Sequence, residues 1–292
     1  MSLNNFIPTV WAARVLLNLH KAQVWGQPAI VNMDYEGDIT GIGNVVRINA
    51  IGPVSVRKYQ KDVLIGYPDV LSDAATTLTV DQGDLFNFAI DDLDKLQQKP
   101  KVMDAALWEA AYAISNAADI FISGIVAGVS TANTIGTDAA PQTDLAPASG
   151  LSRAYDYLVD LAVLLSASNV PTGQRWVTVP PWFHGLMRRD DRFVRYGTTA
   201  QEDILQNGIV GRAAGFDVYE TNNILLTGAS TNVYNITAGY PGAITYADQM
   251  SEMQAYRPEQ RFADAVKGLH IYGAKLARPQ GIAVLKAQNP GF

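Results

Sequence analysis

Residues 45–81 read VVRINAIGPVSVRKYQKDVLIGYPDVLSDAATTLTVD, and this stretch decides the fold. Its two ends alternate apolar and polar residues, as at Val46 and Ile48 or at Leu78 and Val80, which is typical of strands. Its middle is charged and interrupted by Gly and Pro, so it cannot bury a core of its own. Long segments of this kind within a compact domain are either disordered or functional. The strand-like ends therefore predict an extended hairpin that projects and contacts other chains.

An Ala-rich helix is predicted over residues 102–124, soon after the hairpin. Its apolar residues recur at three- and four-residue spacing, which indicates one packed face. Asp104, Ser115 and Asp119 fall outside this stripe, so we expect them on a polar face. At about 1.5 Å per residue the helix is roughly 35 Å long, enough for the spine of a flat molecule. The predicted stripe consists of Met103, Leu107, Ala111, Ile114, Ala118, Phe121 and Ile125.

The composition excludes several classes of protein. The chain has 292 residues, of which 48% are hydrophobic and 17% are charged, so it can bury a substantial core. A net charge of -6 argues against a dedicated nucleic-acid binder, because phosphate affinity needs clustered Lys and Arg. Cysteine is absent, which excludes disulfides and thiolate chemistry. The N-terminus lacks a secretion pattern and no apolar run is expected to reach membrane-spanning length, so we expect no membrane partner.

The N-terminal residues 8–20 are compatible with two structures. The pattern around Val10, Trp11 and Val15 fits a short amphipathic helix packed on the core of its own subunit. It fits equally an arm that lies across a neighbouring chain.

Further along the chain the patterns predict elements of both types. The runs within 78–90 predict a hairpin or strand pair joined at Gln82 and Gly83. A second helix is expected between Ser149 and Asn169, and a strand over 176–179 before two prolines. The predicted apolar face of this second helix consists of Leu151, Ala154, Tyr155, Leu158, Ala162 and Leu165. The C-terminal runs, LHIYGAKL and GIAVLKA, are expected to close the sheet that accompanies the long helix.

One dense basic cluster follows the strand over 176–179. Acidic residues are interspersed in it, which favours local or intersubunit ion pairs over phosphate binding. The candidate intersubunit cluster consists of Arg188, Arg189, Asp190, Asp191, Arg192 and Arg195.

The sequence has no recognisable catalytic or cofactor-binding motif. His20, His184 and His270 stand in no metal-ligand spacing, so packed or hydrogen-bonded roles are favoured. The glycines within 208–215 precede the predicted strand 216–219, whereas a dinucleotide loop follows its strand. We therefore expect no enzyme, no cofactor and no metal site.

The order of the motifs resembles that of the major capsid proteins of tailed bacteriophages with the Hong Kong 97 fold, nearest the podovirus-type coat proteins. The resemblance spans residues 34–285, and it is carried by the order of individually weak motifs. These are GDITGIGNVVRI, the charged hairpin, LTVDQGDLFNFAIDDLD, the long helix, PTGQRWVTVPP, GIVGRAAGFDVYETNNI and IYGAKLARPQGIAVLK.

The resemblance implies an α+β fold with an arm, an extended loop and two domains. The loop corresponds to about 50–77 and the spine helix to about 102–124. The implied divisions are an N-terminal arm (1–33), the first part of a peripheral domain (34–148), an axial domain (149–223), and a last part (224–292) that completes the axial domain and returns to the peripheral one.

The resemblance also implies a function and partners. The chain would be a structural subunit that forms hexamers and pentamers of an icosahedral shell around phage double-stranded DNA, assembled in the host bacterial cytoplasm. The alternatives are an encapsulin-like compartment or, from another class, an α/β enzyme with an unrecognised site. Family motifs begin near Asp34, so we expect a separate scaffolding protein, with a portal and, as a further candidate, a decoration protein. Arg57, Lys58 and Lys61 on the loop are expected to pair with acids of a neighbouring subunit.

Overall fold

The computed structural model describes residues 24–34, 45–51, 56, 58, 61, 73–91, 102–145, 153–190, 211–228, 232–260 and 262–290. The helices in these ranges are α1 (Val102–Ile125), α2 (Arg153–Ala167) and α3 (Pro181–Arg188). The strands are β1 (Val45–Ile51), β2 (Asp73–Thr79), β3 (Gln82–Asp91), β4 (Thr134–Ile135), β5 (Trp176–Val179), β6 (Arg212–Ala213), β7 (Phe216–Glu220), β8 (Leu226–Thr227), β9 (Val233–Gly239), β10 (Ile244–Tyr256), β11 (Ala263–Leu276) and β12 (Ile282–Gln288). This mixture of helices and sheets confirms the predicted α+β class.

The strands β1 and β2 form an antiparallel ribbon. Val45 lies opposite Thr79 at its base and Ile51 lies opposite Asp73 toward the loop, which confirms the hairpin predicted from its alternating ends. The hairpin or strand pair predicted within 78–90 is wrong, because β2 pairs with β1 whereas β3 pairs with β11. Alternation identifies a strand but does not identify its partner.

The strands β10, β11 and β3 form an antiparallel sheet that packs against α1. Near the start of α1, Leu107 packs with Met253 of β10. Near its end, Ile122 packs in the same cluster as Ile244, the first residue of β10. The helix and β10 therefore run in opposite directions along the sheet.

The helix α1 confirms the prediction in its bounds but not in the distribution of its polar residues. Leu107, Ala111, Ile114 and Ala118 are buried as predicted, and the side chains of Met103 and Asp104 lie outside the described part. Phe121 and Ile125 are only half-buried. Ser115 and Asp119, which were expected on a polar face, are buried. The cause at Asp119 is that residues 24–34 cover a second face of the helix, so the buried surface is wider than one stripe.

The expectation that no run reaches membrane-spanning length is also corrected. The segment Ala106–Gly128 has 23 residues and is long and apolar enough to cross a membrane by length and composition; it is the one such helix in the described ranges. Its buried side chains pack on the sheet and on residues 24–34, as in the core helix of a soluble protein.

A larger sheet has the strand order β4-β12-β9-β5-β7-β6, with β8 paired to β9. The predicted strand over 176–179 is confirmed as β5, and all four of its residues are buried. Val177 and Val179 pack in the cluster formed with α2 and α3, whereas Trp176 packs in the cluster that contains α1. The sheet is thus covered on both faces at β5. The helix α2 confirms the second predicted helix, but only part of its predicted face is buried. Ala154, Leu158 and Leu165 are buried as predicted, Tyr155 and Ala162 are half-buried, and Leu151 lies outside the described residues. The buried face also includes Tyr157 and Leu161.

The two C-terminal runs separate between the two sheets. The strand β11 pairs with β3 beside α1, as expected. The strand β12 instead pairs with β9 and β4 in the larger sheet, so the expectation that both runs close the sheet beside α1 is wrong for the last strand.

A tight hairpin joins β6 to β7. Ala214 has φ 50° and Gly215 has φ 85°, and two consecutive positive values are typical of a type I′ turn. The predicted strand 216–219 is confirmed as β7, but the short preceding strand is an element that the pattern did not predict.

Candidate assembly surfaces

The first candidate surface is the loop between β1 and β2. Where the structure describes this loop, Val56 is 95% exposed, and Lys58 and Lys61 are also exposed. Arg57 lies outside the described residues. At the other end of the ribbon, Leu78 and Val80 are fully buried against β10 and β11. The ribbon is therefore fixed at its base, while the described side chains of its loop remain accessible.

The second candidate surface surrounds residues 24–34, which hydrogen bond to α1 through Asp119. This side chain is 3% exposed. One of its carboxylate oxygens accepts a hydrogen bond from the backbone N–H of Val24 at 3.1 Å, and the other accepts one from Trp25 at 3.2 Å. Burial raises the pKa of Asp119 to about 6, although hydrogen bonds from Val24, Trp25, Gly26 and Asn223 oppose the rise. Such a carboxylate changes charge in a mildly acidic range.

Trp25 extends this attachment to the larger sheet. Its indole N–H donates to the carbonyl of Asn223 at 2.7 Å, and its ring meets Trp176 edge-on with centroids 5.8 Å apart. Asn223 in turn donates from its side-chain amide to Asn116 of α1 at 2.8 Å. Residues 24–34 thus hold together α1, β5 and the loop that follows β7.

The predicted basic cluster is only partly described. Arg188 and Arg189 lie at the end of α3 and are exposed. Asp190 is fully buried in its own subunit, which does not fit the intersubunit role expected of it. Asp191, Arg192 and Arg195 lie outside the described residues. Among the described residues, the exposed part of the candidate surface therefore consists of two arginines.

His184 and His270 are both buried beside carboxylates. His184 contacts Glu220 through Nδ1. His270 lies 3.3 Å from Asp248, and the ring of Tyr272 stacks on it. Burial and a hydrogen bond to Asp84 raise the pKa of Tyr272. These contacts agree with the packed, hydrogen-bonded roles favoured from the sequence for these two histidines, whereas His20 lies outside the described residues. In the described parts of the chain, no group of three or more His, Asp or Glu side chains is arranged to hold a metal ion.

Sequence reasoning missed Arg175, which supports the end of α2. Its buried guanidinium donates to the carbonyls of Pro171, Ala162 and Val170 at 2.7–3.1 Å, and to the hydroxyl of Ser166. Burial lowers the pKa of Arg175. Cations are favoured near the C-terminal carbonyls of a helix. The available signal was a lone arginine just after the predicted helix, but its partners depend on how the chain turns back.

The fold and these surfaces define a structural class: a subunit with two packed sheets and a two-stranded ribbon whose described loop side chains are exposed. A model of the phage capsid protein family matches residues 65–285. This match covers most of the chain, and the chain belongs to the phage capsid protein family. A search of curated protein sequences finds no significant match.

Solved structures have the same fold. A chain of Mycobacterium phage Che8 is 26% identical and matches with a TM-score of 0.68 over 90% of both chains. The capsid structure of the cyanophage P-SCSP1u is 14% identical, with a TM-score of 0.67 over 86% of this chain and 85% of that one. A virus-like particle from Pyrococcus furiosus is 12% identical, with a TM-score of 0.55 over 95% of this chain and 98% of that one. The last two likenesses concern the fold alone.

These matches confirm the Hong Kong 97-like fold and the capsid family inferred from the motif order. The chain is a major capsid subunit that forms an icosahedral shell, and its location is the virion capsid. The family match favours this function over the encapsulin and enzyme alternatives. The family match indicates that the chain is a structural protein.

Proposed function

We propose that this subunit forms the hexamers and pentamers of its shell by inserting the loop between β1 and β2 against a neighbouring subunit. The observation that carries the proposal is the contrast between the two ends of the ribbon. Leu78 and Val80 are buried at its base, whereas Val56, Lys58 and Lys61 are exposed in its loop. A valine with 95% exposure contributes nothing to the core of its own subunit.

The chemistry of the loop suits a partner with exposed acids. Lys58 and Lys61, together with Arg57, form a basic group on a chain whose net charge is -6. A neighbouring copy therefore offers an excess of carboxylates. Each exposed ion pair contributes only about 0–1 kcal/mol, but a shell repeats the contact at every copy.

A second contact is proposed at the end of α3. Arg188 and Arg189 are exposed there. We expect them, with Arg192 and Arg195, to pair with acids of a neighbouring copy, and we expect Asp191 to pair with a cation of that copy. Asp190 is left out of this contact because it is buried. Interfaces between identical subunits that close into rings are heterologous, so a basic surface need only meet a different, acidic surface.

The remaining partners are proposals that the family resemblance supports. The shell is proposed to enclose double-stranded phage DNA without binding it specifically, since a net acidic subunit does not attract phosphate. Assembly in the host bacterial cytoplasm is proposed to need a separate scaffolding protein and a portal, with a decoration protein as a further candidate. The division into an arm, a peripheral domain and an axial domain stays a prediction, as does the absence of catalysis.

Assembly of the purified chain tests the proposal. Sedimentation velocity and electron microscopy would be done on the protein alone and after co-expression with the scaffolding protein of the same phage. We expect pentamers, hexamers or closed shells in at least one of the two samples. Monomers alone in both samples would contradict the proposal.

A further inference from the structure

The outer face of α2 carries two exposed valines among exposed acids. Val159 is 39% exposed and Val163 is 60% exposed. At 3.6 residues per turn, the four exposed side chains fall within about 100° of the helix surface, whereas the opposite face of α2 packs in the core beside α3 and β5. The four residues, which we call the α2 stripe, are Asp156, Val159, Asp160 and Val163.

The α2 stripe is left uncovered by its own subunit. Within the described part of the chain, the side chain of Asp160 makes no hydrogen bond or ion pair. Valine is also a weak helix former, because its branched side chain is restricted in a helix. Val159 and Val163 therefore neither pack in the subunit core nor favour the helix. We expect this face to be covered by another chain.

The helix α3 offers a face of complementary charge. Pro181, Gly185 and Arg188 follow one another at intervals of four and three residues, so they lie on one side of the helix. No atom lies within 4 Å of a Cβ added at Gly185, so the surface at this residue is open. Arg188 is exposed, and its side chain makes no hydrogen bond or ion pair with the described residues. This face is apolar at its start and basic at its end.

The spacing of the two faces also matches. On α2 the acid Asp160 precedes Val163 by three residues, and on α3 the base Arg188 follows Gly185 by three. Two helices that pack antiparallel therefore bring the acid opposite the base and the valine opposite the glycine. A glycine lets the two helices approach closely, because it has no side chain to keep them apart.

We propose that the α2 stripe of one subunit docks on this face of α3 in a neighbouring copy, with Asp160 paired to Arg188 and Val163 seated at Gly185. Both faces are exposed in one subunit, so they do not cover each other. A contact between two different surfaces is heterologous and closes into a ring. The inference rests on the proposed contact of the α3 arginines with a neighbouring copy, and it names the surface that receives them.

Engineered cysteines test this contact, because the chain has no cysteine of its own. The variant Val163→Cys/Gly185→Cys would be assembled with the scaffolding protein, oxidised and separated on a denaturing, non-reducing gel. A disulfide forms only where the two Cα atoms lie within about 7 Å. We expect a ladder of covalently linked subunits that ends at pentamers and hexamers. Monomers alone would overturn the inference, as would dimers as the largest product, since two identical faces would then be in contact.

The matched control is Val163→Cys/Gly173→Cys. Gly173 also has no atom within 4 Å of an added Cβ, but it lies in the loop after α2, so we expect monomers alone. Equal ladders in the two variants would overturn the inference. Normal shells of the first variant without a ladder would also overturn it, yet would leave shell formation and the loop contact standing. Wild-type subunits that stay monomeric would contradict both proposals.

Charge exchange provides a second test. Asp160→Arg alone and Arg188→Asp alone each place like charges in contact, so each should lower the number of shells seen by electron microscopy at least about fivefold. The double variant Asp160→Arg/Arg188→Asp restores opposite charges, and its yield should return to within about twofold of wild type. Both side chains are exposed, so all three melting temperatures should stay within about 2 °C of wild type. A double variant that assembles no better than the single variants would contradict the inference.

Discussion

Asp119 joins distant parts of the chain, because its carboxylate accepts backbone hydrogen bonds from residues 94 and 95 positions away. Its environment opposes ionisation, since burial removes the charge from water. The residue therefore combines a structural role with a sensitivity to pH.

The first prediction concerns this pH dependence. The pKa of Asp119 is about 6 in the folded chain against 3.8 ordinarily, so the folded state binds this proton more tightly. Protonation of Asp119 therefore stabilises the folded state fully below about pH 4, and this stabilisation is lost as the pH rises through 6. The free energy of unfolding falls by at most about 3 kcal/mol over this range. The free energy of unfolding should be measured with denaturant at pH 4.5 and 7.5 for wild type and Asp119→Asn. The free energy of unfolding should fall less with rising pH in the variant than in wild type. An equal fall in both proteins would contradict the raised pKa of Asp119.

Arg175 carries the second prediction. The variant Arg175→Met keeps an unbranched side chain but leaves three carbonyls near the end of α2 without their donor. Hydrogen bonds from a charged donor are worth more than neutral ones, so we expect a loss of roughly 3 kcal/mol in the free energy of unfolding. Arg153→Met is the control, because Arg153 pairs with Asp144 at the surface and should cost less than about 1 kcal/mol. Similar losses in the two variants would show that the buried guanidinium has no special role.

At the scale of elements, α1 illustrates what could be predicted from the sequence. Its periodicity predicts the helix and the side chains that pack on the sheet, such as Leu107 and Ala118. The burial of Asp119 could not be predicted, because it depends on a segment far away in the chain. The partner of β3 was missed for the same reason, since alternation describes a strand and not its neighbours.

Two isoleucines of α1 give the third prediction. Ile122 is fully buried, whereas Ile120 is 53% exposed. Ile122→Ala should cost about 3 kcal/mol of unfolding free energy by removing packed methyl groups, while Ile120→Ala should cost less than about 1 kcal/mol. Thermal or denaturant unfolding of the two variants measures the difference. Equal losses would mean that the orientation of the helix is wrong. Phe121 is only half-buried, so a full core penalty is not expected at that position.

The fourth prediction concerns Gly273 in β11. A Cβ atom there would lie 2.6 Å from the carbonyl oxygen of Thr79 and 2.9 Å from the Cα of Val80, so backbone atoms would have to move. Gly273→Ala should therefore destabilise the subunit by about 1–3 kcal/mol. Gly185 in α3 is the matched control, because no atom lies within 4 Å of its added Cβ. Gly185→Ala should stabilise the protein by about 0.5–1 kcal/mol, since alanine favours a helix. Equal stability of the two variants would contradict the close contact between Gly273 of β11 and the backbone of Thr79 and Val80.

At the scale of the whole molecule, the order of motifs carried more information than any single one. The ribbon, the long helix and the strand over 176–179 were predicted individually, and their order identified the family. The sites were less predictable. Asp190 is read as a surface acid from its neighbours in sequence, yet it is fully buried. Arg175 follows the predicted helix, but its partners depend on how the chain turns back.

The central claim is that the loop between β1 and β2 serves assembly and not the stability of its own subunit. Reversal of its charges in Arg57→Glu/Lys58→Glu/Lys61→Glu tests this claim most directly. The described lysines are exposed, so the melting temperature should stay within about 2 °C of wild type, whereas shells should be absent or malformed. A control triple variant would reverse Lys267, Lys275 and Arg278, which are exposed elsewhere, and should assemble normally.

Thermal melts and electron microscopy of the same preparations give the decisive comparison. The account predicts an intact, stable loop variant that fails to form normal shells, beside a control that forms them. Normal shells from the loop variant, or its unfolding at a clearly lower temperature, would contradict the account.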